Sequence, residues 1–398
     1  MKVAIMGYGV VGSGVAAVLK QNFAHIKKNS VSDGLELKYI LDLRTFPGDE
    51  FESLVINDFN TILEDEEVKI VVETMGGVNP AYKFVSSCLE AGKSVVTSNK
   101  ELVATKGFEL LETAKRNNVN FLFEASVGGG IPVLRPISQC LASNEIKEVA
   151  GILNGTTNFI LTKMIEEGAA FEEALKTAQQ LGYAEKDPTA DVEGLDACRK
   201  ICILASLCFN KHVYPDSVYT KGIRGITEED VENVKKWGGV IKLIGSSKKL
   251  DDGRITAWVS PAIIKNGSQL ASVSDVFNAV LVRGNAVGDV VFYGRGAGKL
   301  PTASAVVADI IDCAQHIKER KALGWEDASE GYVVPFEETV SRFYVCTDSD
   351  KAKVDTVFGV VEYISANAFI TEEMTYAQVC KKAELSGGAK SIIRVTDY

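Results

Sequence analysis

The sequence predicts an α/β protein: a doubly wound parallel sheet, a second α+β domain on a mixed sheet, and a small C-terminal βαβ-type appendage. Three observations carry this. The chain opens on a short apolar strand, a Gly-rich turn and a helix. Strand and helix patterns then alternate to about residue 124, and from residue 239 the apolar residues take the period of antiparallel strands. A chain of 398 residues, 46% hydrophobic and 24% charged, suffices for two or three globular domains.

Lys2 to Met6 is the first strand, followed by GYGVVGSG and the helical AAVLKQNF. Gly7 makes the turn, Gly9 lets a pyrophosphate approach the backbone, and Gly12 permits close helix–strand packing. The helix N-terminus adds amide donors and partial positive charge for the phosphates. This is the pattern of a Rossmann-type dinucleotide site; a tight turn in another α/β protein is the alternative. The next strand, LELKYILDL, ends near Asp42, where an acid binds an adenine ribose, after a connection lengthened by HIKKNSVSDG. Arg44 follows and suits a 2′-phosphate instead, so NAD and NADP both stay open.

Short strands at Val68 to Glu73, Ser94 to Ser98 and Val119 to Glu124 alternate with helices over Ala81 to Ala91 and Glu101 to Asn117. Ligands of such sheets sit at the carboxyl ends of the strands. Lys100, in TSNKE, lies at one such end, either as a partner of nicotinamide or substrate or as a solvated loop lysine. FEASVGGGIPV then marks a hinge near residue 131. Glu124 with freed carbonyls around Val127 to Ile131 can hold a hard monovalent cation, with a plain turn as the alternative.

Beyond the hinge, KEVAGILNGTTNFILTKMI reads as strand, turn and helix, with polar Asn154 to Asn158 at a helix start of the kind that binds carboxylates. The helix FEEALKTAQQ ends near Gly182. Leu181 to Lys200 then collects four carboxylates (Glu185, Asp187, Asp191, Asp196) and closes on Lys200, directly ahead of the apolar run Ile201 to Phe209. Asp196 and Lys200, four apart, share a helix face, while Leu195, Cys198, Cys202 and Ala205 fall on another. Tyr183 to Ala190 reads as an exposed loop that delivers Glu185 and Asp187 towards one helix carrying Asp191, Asp196 and Lys200. A lysine at the mouth of a buried helix is pulled down in pKa by desolvation and up by its acids, and can exchange protons. The alternative is a salt-bridged helix start, and this segment alone leaves both open.

Strands follow at Gly239 to Ser247, Ile255 to Ile264, Phe277 to Gly284 and Asp289 to Tyr293. GRGAGKLPTASAVVADIIDCAQHI, Gly294 to Ile317, is a second Gly-rich turn entering a helix, with which the chain returns to the first domain. After a polar linker around Glu326 to Gly331 come SRFYVCT, a helix from Val354 to Ile364 and the final strand SIIRVTD. The expected division is 1–131 with 294–325, then 132–293, then 338–398.

A net charge of −10 argues against a nucleic-acid surface. No apolar run reaches the roughly 18 residues of a membrane span, and MKVAIMGYG enters a strand at once, leaving no room for a signal peptide. Eight cysteines without CxxC pairs read as reduced thiols of a cytoplasmic protein rather than as disulfides or metal ligands. His25, His212 and His316 each read as surface or helix-end histidines.

On these motifs the whole chain resembles the homoserine dehydrogenases. Ala178, Gly182, Tyr183, Asp187, Pro188, Asp191, Gly194, Asp196 and Lys200 stand at the spacings of that family's signature, and GYGVVG, NGTTNFIL and GRGAGKLPTASAV occur in the family's order. The resemblance implies reversible NAD- or NADP-dependent reduction of L-aspartate 4-semialdehyde to L-homoserine, on the route to threonine and methionine. It implies that Lys200 gives the proton, that Lys100 lies near the reacting carbon and nicotinamide, and that Glu185 and Asp196 bind substrate with Asp191 in support. Gly155, Thr156 and Tyr183 match positions lining the same pocket. Val11, Lys100, Gly182 and Gly298 match cofactor contacts, and Glu124, Val127, Gly129 and Ile131 match a sodium site whose last three ligands are backbone carbonyls.

The family also implies that 1–131 with 294–325 binds the dinucleotide, and that 132–293 binds substrate and makes a homodimer. The tail is placed like an ACT domain. Two departures are visible: Leu41-Asp42-Leu43 stands where NADP-using members often carry a basic residue, and TDSDKAKVDTVFG lacks the Pro-Gly turn of an effector site, so threonine feedback stays open. Rival readings are a nucleotide-binding amino-acid sensor on the same fold, disfavoured by the joint presence of Lys100, Glu185, Asp196 and Lys200, and a reductase of another small oxo acid.

Overall fold

The structure, a computed structural model, describes residues 1–31 and 34–398. Ser32 and Asp33, part of the lengthened connection towards Asp42, lie outside the described residues. Two compact units result. Unit 1 comprises Met1–Ser143, Ser206–Tyr214 and Gly294–Ala328; unit 2 comprises Asn144–Ala205, Pro215–Tyr293 and Ser329–Tyr398.

Unit 1 is built on six parallel strands: β1 (Lys2–Met6), β2 (Glu36–Leu41), β3 (Val55–Ile56), β4 (Val68–Glu73), β5 (Ser94–Thr97) and β6 (Phe121–Leu122). Their order is β3-β2-β1-β4-β5-β6, so the sheet reverses direction of growth at β1, and the crevice beyond the carboxyl end of β1 is the expected ligand site. The strands read as near-continuous apolar runs because both faces are covered: Val3, Ala4, Ile5 and Met6 of β1 are fully buried. The Val10–Gln21 helix packs on the Lys299–Gln315 helix through Gly14, where a Cβ would come within 2.9 Å of the Lys299 carbonyl oxygen and 3.0 Å of Ala303 Cβ. The chain therefore does return to the first sheet after Gly294.

The sixth strand is shorter than the pattern over Val119 to Glu124 predicts. Asn118 takes a left-handed φ of 53°, and Asn120 turns its amide to the carbonyls of His316 (3.1 Å) and Glu319 (3.3 Å). Glu124–Ser126 coil into a 3-10 turn.

Unit 2 carries β7 (Ile146–Ile152), β8 (Tyr219–Thr220), β9 (Gly239–Lys249), β10 (Ile255–Lys265), β11 (Phe277–Gly284), β12 (Gly288–Arg295), β13 (Val340–Cys346), β14 (Val361–Tyr363), β15 (Ala368–Thr371), β16 (Met374–Thr375) and β17 (Ser391–Thr396). They form one mixed sheet, β12-β11-β7-β9-β10-β17-β13-β15-β14, with β8 on β10 and β16 on β13. The tail is a βαββαβ unit whose strands take the order β17-β13-β15-β14, a split βαβ arrangement. It extends the larger sheet, since β17 pairs in parallel with β10, Arg394 opposite Ala262. The helix expected from Val354 to Ile364 is instead Lys351–Phe358. Gly359 at φ +77° ends it, and Val361 enters β14. Among the described residues no helix is long and apolar enough to cross a membrane.

Candidate active site

The glycine turn after β1 is shaped by steric necessity at two positions and by vacancy at a third. Gly7 has φ +96°, and its N–H donates to the Leu41 carbonyl at 2.8 Å. A Cβ on Gly12 would lie 2.0 Å from the Gly7 carbonyl oxygen and 2.8 Å from Thr74 Oγ1, whereas one on Gly9 would meet nothing within 4 Å. Gly9 caps the Val10–Gln21 helix with no side-chain hydrogen bond, leaving first-turn amides for an anion in the space above it. These residues fit a pyrophosphate. Val11 is half-buried in the same turn, and Gly298, at φ +123°, opens the Lys299–Gln315 helix of the same unit.

At the end of β2 the two candidates for the adenine ribose are joined. Asp42 accepts from the Tyr8 N–H at 2.8 Å and from Arg44 Nε and Nη2 at 2.9 and 2.8 Å. The Arg44 guanidinium holds the Asp42 carboxyl well below the usual carboxylate range. Arg44 itself is largely exposed.

Lys100 opens the Lys100–Arg116 helix directly beyond β5, and its placement rests on groups that sequence patterning did not single out. Glu73 is fully buried at the end of β4. It accepts from Thr97 Oγ1 and from the N–H of Met75 (2.7 Å) and Gly76 (3.2 Å), and burial raises its pKa against those bonds. Thr97 Oγ1 in turn accepts the Asn99 N–H, and Asn99 caps the helix by accepting from Leu102 N at 3.1 Å. A strand ending in a buried acid was the available signal.

The Glu124 carboxylate is held by three main-chain amides. It accepts the N–H groups of Val133 (2.6 Å), Leu134 (2.8 Å) and Arg135 (2.7 Å), so its two oxygens cap the turn after the hinge. Gly128 and Gly129, at φ +73° and +56°, reverse the chain before Ile131. Among the described residues no three His, Cys, Asp or Glu side chains form a metal-holding group.

In unit 2 the structure gathers Lys200, Asp196, Asn154 and Asp191. Lys200 Nζ donates to Asp196 Oδ2 and to the Leu153 carbonyl, both at 2.7 Å, and the two ionic residues are 8% and 4% exposed. Asn154 donates to Asp191 Oδ1 at 2.6 Å and to Asp196 Oδ2 at 2.9 Å, while its own oxygen caps the Gly155–Glu167 helix through Thr157 N at 2.8 Å. One amide thus holds both acids and fixes the helix start; the NGTTN motif was the signal for it. Gly155 lies where a Cβ would come within 2.6 Å of the Val276 carbonyl oxygen, and Thr156 Oγ1 donates to the Tyr183 carbonyl at 2.7 Å.

Three expectations need correction here. Asp191 and Lys200 do not share a helix: Thr189–Val192 and Leu195–Phe209 are separate, broken at Gly194 (φ +82°), where a Cβ would press on Thr220 and Val259 at 3.2 Å. Asp187 accepts from Thr189 N (3.1 Å) and Oγ1 (2.6 Å) just ahead of the first of them, and the exposed Glu185 carboxylate stands outside the hydrogen-bonded cluster. His212 is fully buried rather than superficial. Its Nε2 donates to the Ala104 carbonyl at 3.0 Å and its Nδ1 accepts from Trp325 Nε1 at 2.8 Å, and burial lowers its pKa. Gly182 ends the Phe171–Gln180 helix at φ +75°, in unit 2. Among the described residues the eight cysteines form no disulfide.

An ammonium held between a carboxylate and a carbonyl can stabilise a developing alkoxide and give it a proton. Residues 7–124 match the family profile described as homoserine dehydrogenase, NAD binding domain, and residues 132–311 match that of homoserine dehydrogenase itself. The chain belongs to the homoserine dehydrogenase family. It is 43% identical over 328 residues to the homoserine dehydrogenase of Bacillus subtilis, covering 80% of this chain and 74% of that protein. The crystal structure of a homoserine dehydrogenase from Thiobacillus denitrificans superposes with a TM-score of 0.90 at 33% identity, covering 100% of this chain and 98% of that one. A hyperthermophilic archaeal homoserine dehydrogenase in complex with NADPH superposes at 0.65 with 28% identity, covering 78% and 97%. Membership of the homoserine dehydrogenase family makes this chain an NAD(P)-dependent oxidoreductase.

Proposed function

We propose that Lys200 is the proton donor in the reversible reduction of L-aspartate 4-semialdehyde to L-homoserine. The observation that carries this is the buried Lys200 ammonium, fixed by Asp196 and the Leu153 carbonyl inside a cluster closed by Asn154. The reduced nicotinamide supplies the hydride when bound. Lys200 neutralises the alkoxide formed at the aldehyde oxygen and protonates it; in the oxidative direction the neutral amine takes the hydroxyl proton. Asp191, Asp196 and the exposed Glu185 carboxylate bind the substrate ammonium, and Gly155, Thr156 and Tyr183 shape the same pocket, supported by the bonds that tie them around the Gly155–Glu167 helix start. Lys100 is assigned to the substrate side of the nicotinamide, with Val11, Gly182 and Gly298 as further cofactor contacts.

The test is consumption of reduced nicotinamide. L-Aspartate 4-semialdehyde is expected to be turned over at least about tenfold better, in kcat/KM, than succinate semialdehyde, which lacks the α-ammonium that the acids bind. Equal turnover of the two contradicts the substrate assignment.

Both cofactors fit the end of β2, where Arg44 suits the 2′-phosphate of NADP and Asp42 the ribose hydroxyls of NAD. Arg44→Ala is expected to weaken NADPH about tenfold while leaving NADH within about twofold, the loss of one charge-assisted contact. Fluorescence titration of the two reduced cofactors reads this, and equal losses rule out the phosphate role.

A sodium ion at Glu124, Val127, Gly129 and Ile131 fits the glycine reversal best if Glu124 gives its main-chain oxygen, since its carboxylate is taken by three amides. A homodimer through the second unit is supported by edge strand β12, which shows half-buried Val290, Val291 and Phe292 and exposed Tyr293. The division into a dinucleotide domain (1–131, 294–325), a substrate and dimerisation domain (132–293) and an ACT-like tail (338–398) rests on the family, and the βαββαβ order supports the last. A cytoplasmic location is supported by eight cysteines that form no disulfide among the described residues.

A further inference from the structure

Unit 2 contains a cavity of about 280 Å³ where residues 219–226 and β10 meet the strand that ends the chain. Three cationic side chains line it, Lys221, Lys390 and Arg394, and no carboxylate does. Lys390 is matched by Asp348 at 2.6 Å and Glu229 at 3.5 Å, and Lys221 is exposed. Arg394 is different: it is 7% exposed, its guanidinium lies 5.1, 5.0 and 5.2 Å from the rings of Trp258, Phe336 and Phe343, and burial pushes its pKa down to about 10.

The hydrogen bonds of that guanidinium go to neutral acceptors. Nη1 donates to the Val340 carbonyl at 3.3 Å and Nη2 to Thr339 Oγ1, while Nε is sealed from water without an acceptor. The hydroxyls of Tyr398, Tyr376 and Tyr219 act on its charge and favour it. The aromatic faces account for the packing of the side chain but not for a buried charge with no anion, which is expensive in a low-dielectric interior. Arginine in such a place is suited to a planar carboxylate arriving from outside.

We propose that this cavity binds a small organic carboxylate, received by the Nη groups of Arg394, with Lys221 at the mouth and the Phe336 and Tyr376 rings against the body of the ligand. The site is separate from the Lys200 cluster in its residues. A ligand there bridges the tail strand β17 and the β10 segment, so it is expected to stabilise the junction at which the tail joins the larger sheet.

The full chain is titrated with acetate and with malonate, malonamide serving as the uncharged control, reading thermal stability and the fluorescence of the tryptophans, of which Trp258 borders the guanidinium. Saturable stabilisation by a carboxylate and none by malonamide is expected, weakened about tenfold or more in Arg394→Gln, the scale of a lost charge-assisted pair. Gly225→Leu is the second variant: Gly225 lines the cavity, has no left-handed φ, and a Cβ there would meet nothing within 4 Å, so the substitution adds bulk at the cavity lining and keeps the Arg394 guanidinium in the chain. It is expected to melt like the parent and to lose the carboxylate effect. No saturable response to either carboxylate, or the parent's response in Gly225→Leu, overturns the proposal.

Discussion

Lys200→Ala is expected to lower kcat by about 10² or more while cofactor affinity stays nearly intact, the scale of a lost general acid. The substitution strips a 4%-exposed Asp196 of its ammonium, so a stability loss on the order of 3 kcal/mol accompanies it. Lys200→Arg separates charge from proton. A guanidinium restores the pairing and much of the stability, yet it does not give up a proton near neutral pH, and turnover is expected to remain low. Recovery of the parent rate in Lys200→Arg shows instead that the positive charge alone suffices. Steady-state kinetics with thermal melts of each variant distinguish the two outcomes.

The second large effect is expected at the glycine turn, where two neighbouring glycines fail for different reasons. Gly12→Ala drives a methyl group to 2.0 Å from the Gly7 carbonyl oxygen, so the Val10–Gln21 helix must move off β1. Overpacking of this kind costs about 1–3 kcal/mol, and here it also displaces the amides that meet the phosphates. Gly9→Ala meets nothing within 4 Å in the protein, yet puts its methyl group into the space left for the pyrophosphate. Both variants are expected to bind NADPH and NADH at least about tenfold more weakly. Only Gly12→Ala is expected to melt at lower temperature. Loss of cofactor binding in neither variant removes the turn from the cofactor site.

Much of the first sheet was legible because its determinants are local. Buried parallel strands write themselves as apolar runs, and Gly7, Gly9 and Gly12 are each required by a steric or vacancy condition within one turn. Lys200 with Asp196 was legible for the same reason, four residues apart on one helix. What escaped depends on partners distant in sequence. Asn154 reaches Asp191 and Asp196 over 37 and 42 residues, the Glu124 carboxylate accepts amides 9 to 11 residues on, and His212 is buried by Trp325 and Ala104 more than a hundred residues away. The tail was misread locally, as a helix running through Gly359, because Val354 to Ile364 keeps an apolar spacing that a helix would also satisfy until the left-handed glycine is seen. Arg394 reads in sequence as one polar residue of a final strand, and only pairing with β10 places it among three aromatic rings.

The most direct measurement of the proton-donor role is chemical rescue of Lys200→Ala by small primary amines, followed as reduced-nicotinamide consumption with L-aspartate 4-semialdehyde. An ammonium supplied from solution into the truncated site is expected to restore turnover at least about tenfold, with a rate that depends on the pKa of the amine. Neutral alcohols of the same size are expected to restore nothing. A folded, cofactor-binding Lys200→Ala whose turnover matches the parent without any amine contradicts the account.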